Sequence, residues 1–191
     1  TVGTDDDRIG RAGAPRDRVA AQAFSSVEEA TVITVAKETE LDEPVHITVD
    51  GPGEGELAYG HLQIRLEQFA NATMVVDQRG GGTIAENVEF VVGDSAHLEV
   101  VLIQDWDNDA LHLAGHHLQV GRDATLTYTV VTFGGEVVRI APVAGFTAPG
   151  GKVTLNGLYY ADDGQHIEHR LLVDHSVPNC SSEILYKGAL Q

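Results

Sequence analysis

The sequence predicts an all-β protein built as a β-solenoid with one short N-terminal helix, and three observations carry that reading. From Thr31 onward, short β-branched runs are bounded by Gly, Asp and Asn, the mark of strands and tight turns. The runs recur at near-constant spacing, as stacked coils require. Within them apolar and polar residues alternate, so each strand offers one face to a core.

Taken in order, residues 1–15 are mostly polar or small, and a flexible N-terminal segment is expected there. The chain opens on Thr1 rather than Met, which suggests a piece of a longer protein. Between Arg16 and Ala30, Val19, Ala20, Ala23, Phe24 and Val27 fall at helical spacing. From there to Gln191 the pattern is strand and turn, so residues 16–191 read as one β-helix core domain. Strand-like runs include Thr31–Val35, Val45–Val49, Val88–Val92, His97–Ile103 and Thr125–Thr132.

Ile64–Ala72, Val88–Ala96 and Leu118–Ala124 resemble one another: strand, small or polar turn, alanine, then a second alternating strand. Aligning Ala72, Ala96 and Ala124 gives spacings of 24 and 28 residues. A looser copy runs through Phe146–Tyr160 with Gly150 and Gly151 at its turn. Leu98, Val100 and Leu102, then Leu126, Tyr128 and Val130, should point inward, and Thr125, Thr127 and Thr129 outward. An antiparallel sandwich also shows alternating strands at short intervals and is the competing reading. A solenoid has open sheet edges at both ends. The helix could cover one; nothing after Tyr186 suits the other, so a partner or further chain is expected there.

The chain has 191 residues, of which 42% are hydrophobic and 21% charged, a globular balance rather than a disordered one. No apolar run approaches the roughly 20 residues that span a bilayer, and no basic segment precedes an apolar one as in a signal peptide. Twelve Lys and Arg against 29 Asp and Glu give a net charge of −17, which disfavours a phosphate-backbone partner. The single cysteine, Cys180, excludes an intrachain disulfide and fits a reducing, cytoplasmic setting.

Nine histidines raise the question of metal binding. His112 lies near His116 and His117, but Gly115 is expected to interrupt that strand. His166, His169, His175 and Cys180 are the candidate ligands. Three residues apart, His166 and His169 fall on opposite faces of a strand, so outward or hydrogen-bonded histidines are the simpler expectation. Cys180 beside Asp174 and His175 could be a nucleophile, though a small core or turn residue explains it as well. No Gly-x-Ser-x-Gly, Walker or His-Glu-x-x-His motif is present. Gly80-Gly81-Gly82 reads as a turn without the helix a phosphate loop needs, and Asp105–Asp109 lacks the glycine and terminal glutamate of an EF-hand.

At the C-terminal end, Leu155–Tyr160, Gln165, His166 and His169 lead into Asp174–Ala189, which holds Asp-His, Pro-x-Cys, Ser and Tyr-Lys-Gly in that order. This stretch is similar to the signature of the SufB/SufD family, and its Leu-Tyr-Lys-Gly ending resembles the SufD branch, particularly actinobacterial members. Val101–Asp107, Val120–Ala124 and Val131–Gly135 resemble that branch too, so the likeness runs from about Arg16 to Gln191.

The resemblance implies a right-handed parallel β-helix and a non-catalytic scaffold subunit of the SufBCD complex. That subunit pairs with SufB through its β-helix and binds the SufC ATPase through a C-terminal helical domain that lies beyond residue 191 in the family. A nascent iron–sulfur cluster would belong to the assembled complex, with no cofactor held by residues 1–191 alone. The matched positions are His175, Pro178, Cys180, Ser182, Tyr186, Lys187 and Gly188, expected to mark the final coils and not a catalytic set. A homodimer through the β-helix is a further possible partner. A self-contained metal-binding module is the alternative function. A carbohydrate-active β-helix enzyme is a further one, weakly supported by a chain with a single Trp.

Overall fold

A strand that is apolar on one face buries that face only if a second sheet lies opposite. In the computed structural model, which describes residues 1–191, the alternating runs stack into two such sheets. The first contains β2 (Glu29–Val35), β4 (Leu57–Leu66), β6 (Thr83–Val92), β8 (Leu111–Val120) and β10 (Val137–Phe146). It ends with β12 (His166–His169) and β13 (Leu172–Asp174), both paired along β10. The second contains β3 (Val45–Asp50), β5 (Asn71–Gly80), β7 (His97–Trp106), β9 (Thr125–Thr132), β11 (Lys152–Ala161) and β14 (Ser181–Leu190). The chain alternates between the sheets and every pairing among these strands is parallel. The result is a parallel β-solenoid of about six turns, with two strands per coil.

Leu57 lies beside Thr83, Thr83 beside Leu111 and Leu111 beside Val137, which are coil lengths of 26, 28 and 26 residues. The expected spacing of 24 is therefore corrected. Asn71 pairs with His97, so Ala70, not Ala72, stacks on Ala96. Ala70 and Ala72 share a face, and the register selects the one whose amide closes the turn onto Glu67. The core follows the alternation: Leu98, Val100, Leu102, Leu126, Tyr128 and Val130 are all buried, with Thr125, Thr127 and Thr129 more open.

One corner of the coil repeats with a fixed backbone. Glu38, Phe69, Ser95, Asp123, Gly150 and Asn179 all have positive φ, between 51° and 88°. In three of these turns the following alanine amide bonds to the carbonyl three residues back: Ala70 to Glu67, Ala96 to Gly93, Ala124 to Gly121. This is the pattern of a turn that needs the left-handed region at its third position. Alanine is small enough to sit where adjacent coils close.

The helix α1 (Arg18–Ser26) is shorter than predicted at both ends, and its N-cap Asp17 accepts a hydrogen bond from the Ala20 amide at 2.8 Å. It does not cover an end of the solenoid, contrary to expectation. It lies across the outer face of β4, β6 and β8. Its buried face is Ala20 and Ala23, and outward-facing Gly115 lets it approach: a Cβ there would sit 3.3 Å from that of Ala20. Residues 1–15, expected to form a flexible segment, lie against the same region. β1 (Val2–Gly3) pairs antiparallel with β2, and the backbone of Arg8, Gly10 and Ala12 is hydrogen bonded to Gln63 and Glu89 of the sheet. At the other end β14 pairs only with β11, and Ile184, on the inward face, stays 49% exposed.

Candidate functional site

The most unusual chemistry lies inside the solenoid. Gln78 on β5, Gln104 on β7 and Thr132 on β9 stack in register on one sheet, facing Glu86 on β6 and His112 on β8. All five are buried. Polar groups without water must satisfy one another, and these do. Glu86 Oε1 accepts from Gln78 Nε2 and from His112 Nε2, both at 2.8 Å. Gln104 Nε2 donates to Gln78 Oε1 at 3.0 Å and reaches His112 Nδ1 at 3.3 Å. Thr132 Oγ1 donates to Gln104 Oε1 at 2.7 Å and meets His169 Nε2 at 3.0 Å. The column thus runs from Glu86 to His169 along the solenoid axis, with tautomers assigned from the bonding pattern. The network satisfies its own donors and acceptors within an otherwise apolar core.

Burial alone would push the Glu86 carboxyl up. The His112 hydrogen bond, attraction to His112 and His116, and the Gln78 amide outweigh it and hold the group below its ordinary value. His116, fully buried and bonded through Nδ1 to the Tyr128 hydroxyl at 2.8 Å, is pushed down to about 3, because desolvation of its cation outweighs the Glu86 charge. His169 falls to about 4 through burial.

A second polar cluster sits outside the first sheet, beneath the N-terminal segment. Glu89 accepts from the Gly10 amide at 2.7 Å and the Ala12 amide at 2.9 Å, and from His61 Nε2 at 2.7 Å. Burial again pushes this carboxyl up, and His61 with the two amides more than reverses it. Gln63 donates to the Arg8 carbonyl at 2.7 Å. Asn87 donates to the Ala20 carbonyl at 2.9 Å, which fixes the helix. These contacts clasp backbone, so they hold the segment whatever its side chains.

The candidate metal ligands are not brought together. His166 is exposed on β12 and His169 points inward toward Tyr159 and Tyr186. His175 Nε2 meets Ser182 Oγ at 2.9 Å and stacks against Phe146. Cys180 follows the positive-φ corner residue Asn179, with its thiol 3.5 Å from the Ala148 carbonyl. No group of three or more His, Cys, Asp or Glu side chains is arranged to hold a metal ion. Gly115 does not break its strand: β8 is continuous, and His112 and His116 both face inward.

Pro178 and Cys180 belong to the last corner, and Lys187 lies outward on β14. Tyr186 and Gly188 make a reciprocal fit with β11. Gly157 pairs with Tyr186, and Tyr159 with Gly188. A Cβ on Gly157 or Gly188 would come within 2.1 Å of the facing tyrosine ring. Sequence reasoning missed the column of Gln78, Glu86, Gln104 and Thr132. The one available signal was polar residues at inward positions of otherwise apolar alternating strands.

Fold and site define a parallel β-solenoid whose notable polar groups are stored in the core and under a clasp. Residues 47–191 match the SufBD core domain of the SUF system for iron–sulfur cluster assembly. The chain is 56% identical over 191 residues to iron–sulfur cluster assembly SufBD family proteins of Mycobacterium tuberculosis (strain H37Rv) and Mycobacterium bovis. It is 55% identical over 190 residues to the one of Mycobacterium leprae. Each similarity covers 100% of this chain and 48% of the relative. The chain belongs to the SufBD family of iron–sulfur cluster assembly proteins. It spans about half the length of the curated relatives it matches.

Proposed function

We propose that this domain is the rigid body of a SufD-type scaffold subunit, pairing with SufB through its β-helix and working with the SufC ATPase in iron–sulfur cluster assembly. Its role is positional and non-catalytic. The nascent cluster is the cargo of the assembled complex and is not held by residues 1–191 alone. The Leu-Tyr-Lys-Gly segment within β14, residues 185–188, supports the SufD branch over SufB. A cytoplasmic setting fits the lone free thiol of Cys180, and no helix is long and apolar enough to cross a membrane.

The observation that carries the pairing is β14. It is hydrogen bonded on one side only, with Ile184, Leu185 and Leu190 exposed. A one-sided strand with apolar side chains on both faces accepts a further strand, from SufB or from a following coil of the same protein, and the two are told apart by binding. Co-expression of the full-length protein with SufB tests this. SufB should co-purify with the wild type, and L185K should lose most of it while retaining its own melting temperature. Undiminished capture by L185K together with I184K would overturn the reading. Residues 1–191 alone should pair with SufB and not retain SufC.

A further inference from the structure

A cavity of about 430 Å³ opens on the outer face of the first sheet, between the start of α1 and the last coil. Its walls carry Arg16, Arg139 and Arg170, three of only twelve Lys and Arg in a chain of net charge −17. Topology explains the convergence. Arg139 and Ala141 face outward on β10. Ile140 pairs with His169, so Arg170 falls beside Ala141 where β12 gives way to β13. Arg16 comes from the residues just before the helix.

The three guanidiniums are not equivalent. Arg139 is tied down by Asp17 at 3.1 Å and Glu168 at 3.2 Å. Asp17 is the one acidic residue lining the cavity, and its carboxylate is already engaged by Arg139 and by the Ala20 amide. Arg16 and Arg170 make no ion pair. Two uncompensated forks therefore face a space whose floor is apolar: Ala141, Val143 and Leu172. Planar guanidinium donors match the oxygens of carboxylate and phosphate, and the volume is within the range of small-molecule sites.

We propose that this cavity binds a small organic oxyanion, a carboxylate or phosphate carried on an apolar frame, with Arg16 and Arg170 as the charge partners and Arg139 as the anchored wall. This site is separate from the β14 edge and does not depend on the pairing proposed for it.

Calorimetric titration of the full-length protein at low ionic strength tests the proposal, with inorganic phosphate, phenyl phosphate and benzoate as probes. Phenyl phosphate should bind more tightly than inorganic phosphate because of the apolar floor, and benzoate shows whether carboxylate is also accepted. The R16Q/R170Q double variant breaks no ion pair and should fold as the wild type does. It should weaken binding by roughly tenfold or more, the scale of a lost charge-assisted hydrogen bond. R122Q, at a distant corner, should leave the affinity unchanged. Absence of saturable binding of all three probes up to about 10 mM, weaker than a site of roughly −3 kcal/mol would show, would overturn the proposal. So would equal binding by the wild type and the double variant.

Discussion

At the residue scale, small changes at the C-terminal coil should be felt because two rings sit directly on two glycines. Tyr159 covers Gly188 and Tyr186 covers Gly157, across neighbouring strands. G188A forces the Tyr159 ring aside, an overpacking that should cost about 1–3 kcal/mol, read from urea denaturation at constant m-value. His116 gives a prediction about pH. Its folded value, about 3, lies below its unfolded value near 6.5, so the unfolded chain takes up the proton first. The neutral, buried imidazole therefore contributes full stability above about pH 6.5. That contribution is lost as pH falls toward the folded value, at up to about 1.4 kcal/mol per pH unit. Urea midpoints between pH 7.5 and 5 should decline accordingly, and H116F should flatten the slope. His117 and His169, also shifted down by burial, add to the same trend. Glu86 and Glu89, held low, lose their stabilising contribution as pH falls from the ordinary carboxylate value toward their folded values.

The elements show which parts of the structure could be read from the sequence. Strand positions such as His97–Ile103 and Thr125–Thr132 were legible because a period of two is imposed by burial on one face, though the first strand runs on to Trp106. The length of α1 was misjudged since Arg16 and Asp17 continue a helical spacing that the N-cap ends. Its location was misjudged more seriously. An amphipathic helix says that one face is covered, not by what. Only the outward faces of β4, β6 and β8, with Gly115, Asn87 and Glu89 in place, decide that it lies on the side of the solenoid. G115V should therefore push α1 off its seat. Amides of residues 18–26 should then exchange much faster, while those of β6 and β8 stay protected; unchanged protection of the helix would contradict the packing described. E89A leaves the Gly10 and Ala12 amides without their acceptor and should release residues 8–13 at a cost of about 1–3 kcal/mol.

For the whole molecule, each coil touches only its neighbours, so stability should be distributed along the axis as in other repeat proteins. The middle coils contain the buried polar column and the largest inward side chains, while β14 is paired on one side. Native-state hydrogen exchange should show the slowest amides in β6 to β9 and the fastest in β12, β13 and β14. Binding of SufB to the β14 edge, if the proposed pairing holds, should slow those last strands selectively. E86A should destabilise the whole stack by about 2–4 kcal/mol, because His112 and Gln78 lose a buried acceptor.

The sequence by itself determined that this chain is all-β and built of repeats, and the parallel pairing of its strands decided for a solenoid over an antiparallel sandwich. Repeated alternation with small residues at the corners leaves few other ways to bury Leu98, Val100, Leu126 and Val130 together, and the C-terminal signature placed it in its family. Register, and with it function-bearing geometry, was decided by tertiary structure. Which of Ala70 and Ala72 closes the turn, and how Glu86 meets His112 across the core, depend on how one coil sits on the next. So does the meeting of Arg16 and Arg170 at one cavity from positions 154 residues apart. A strand's own pattern fixes which face is buried, but the neighbour's register fixes what each buried or exposed group touches.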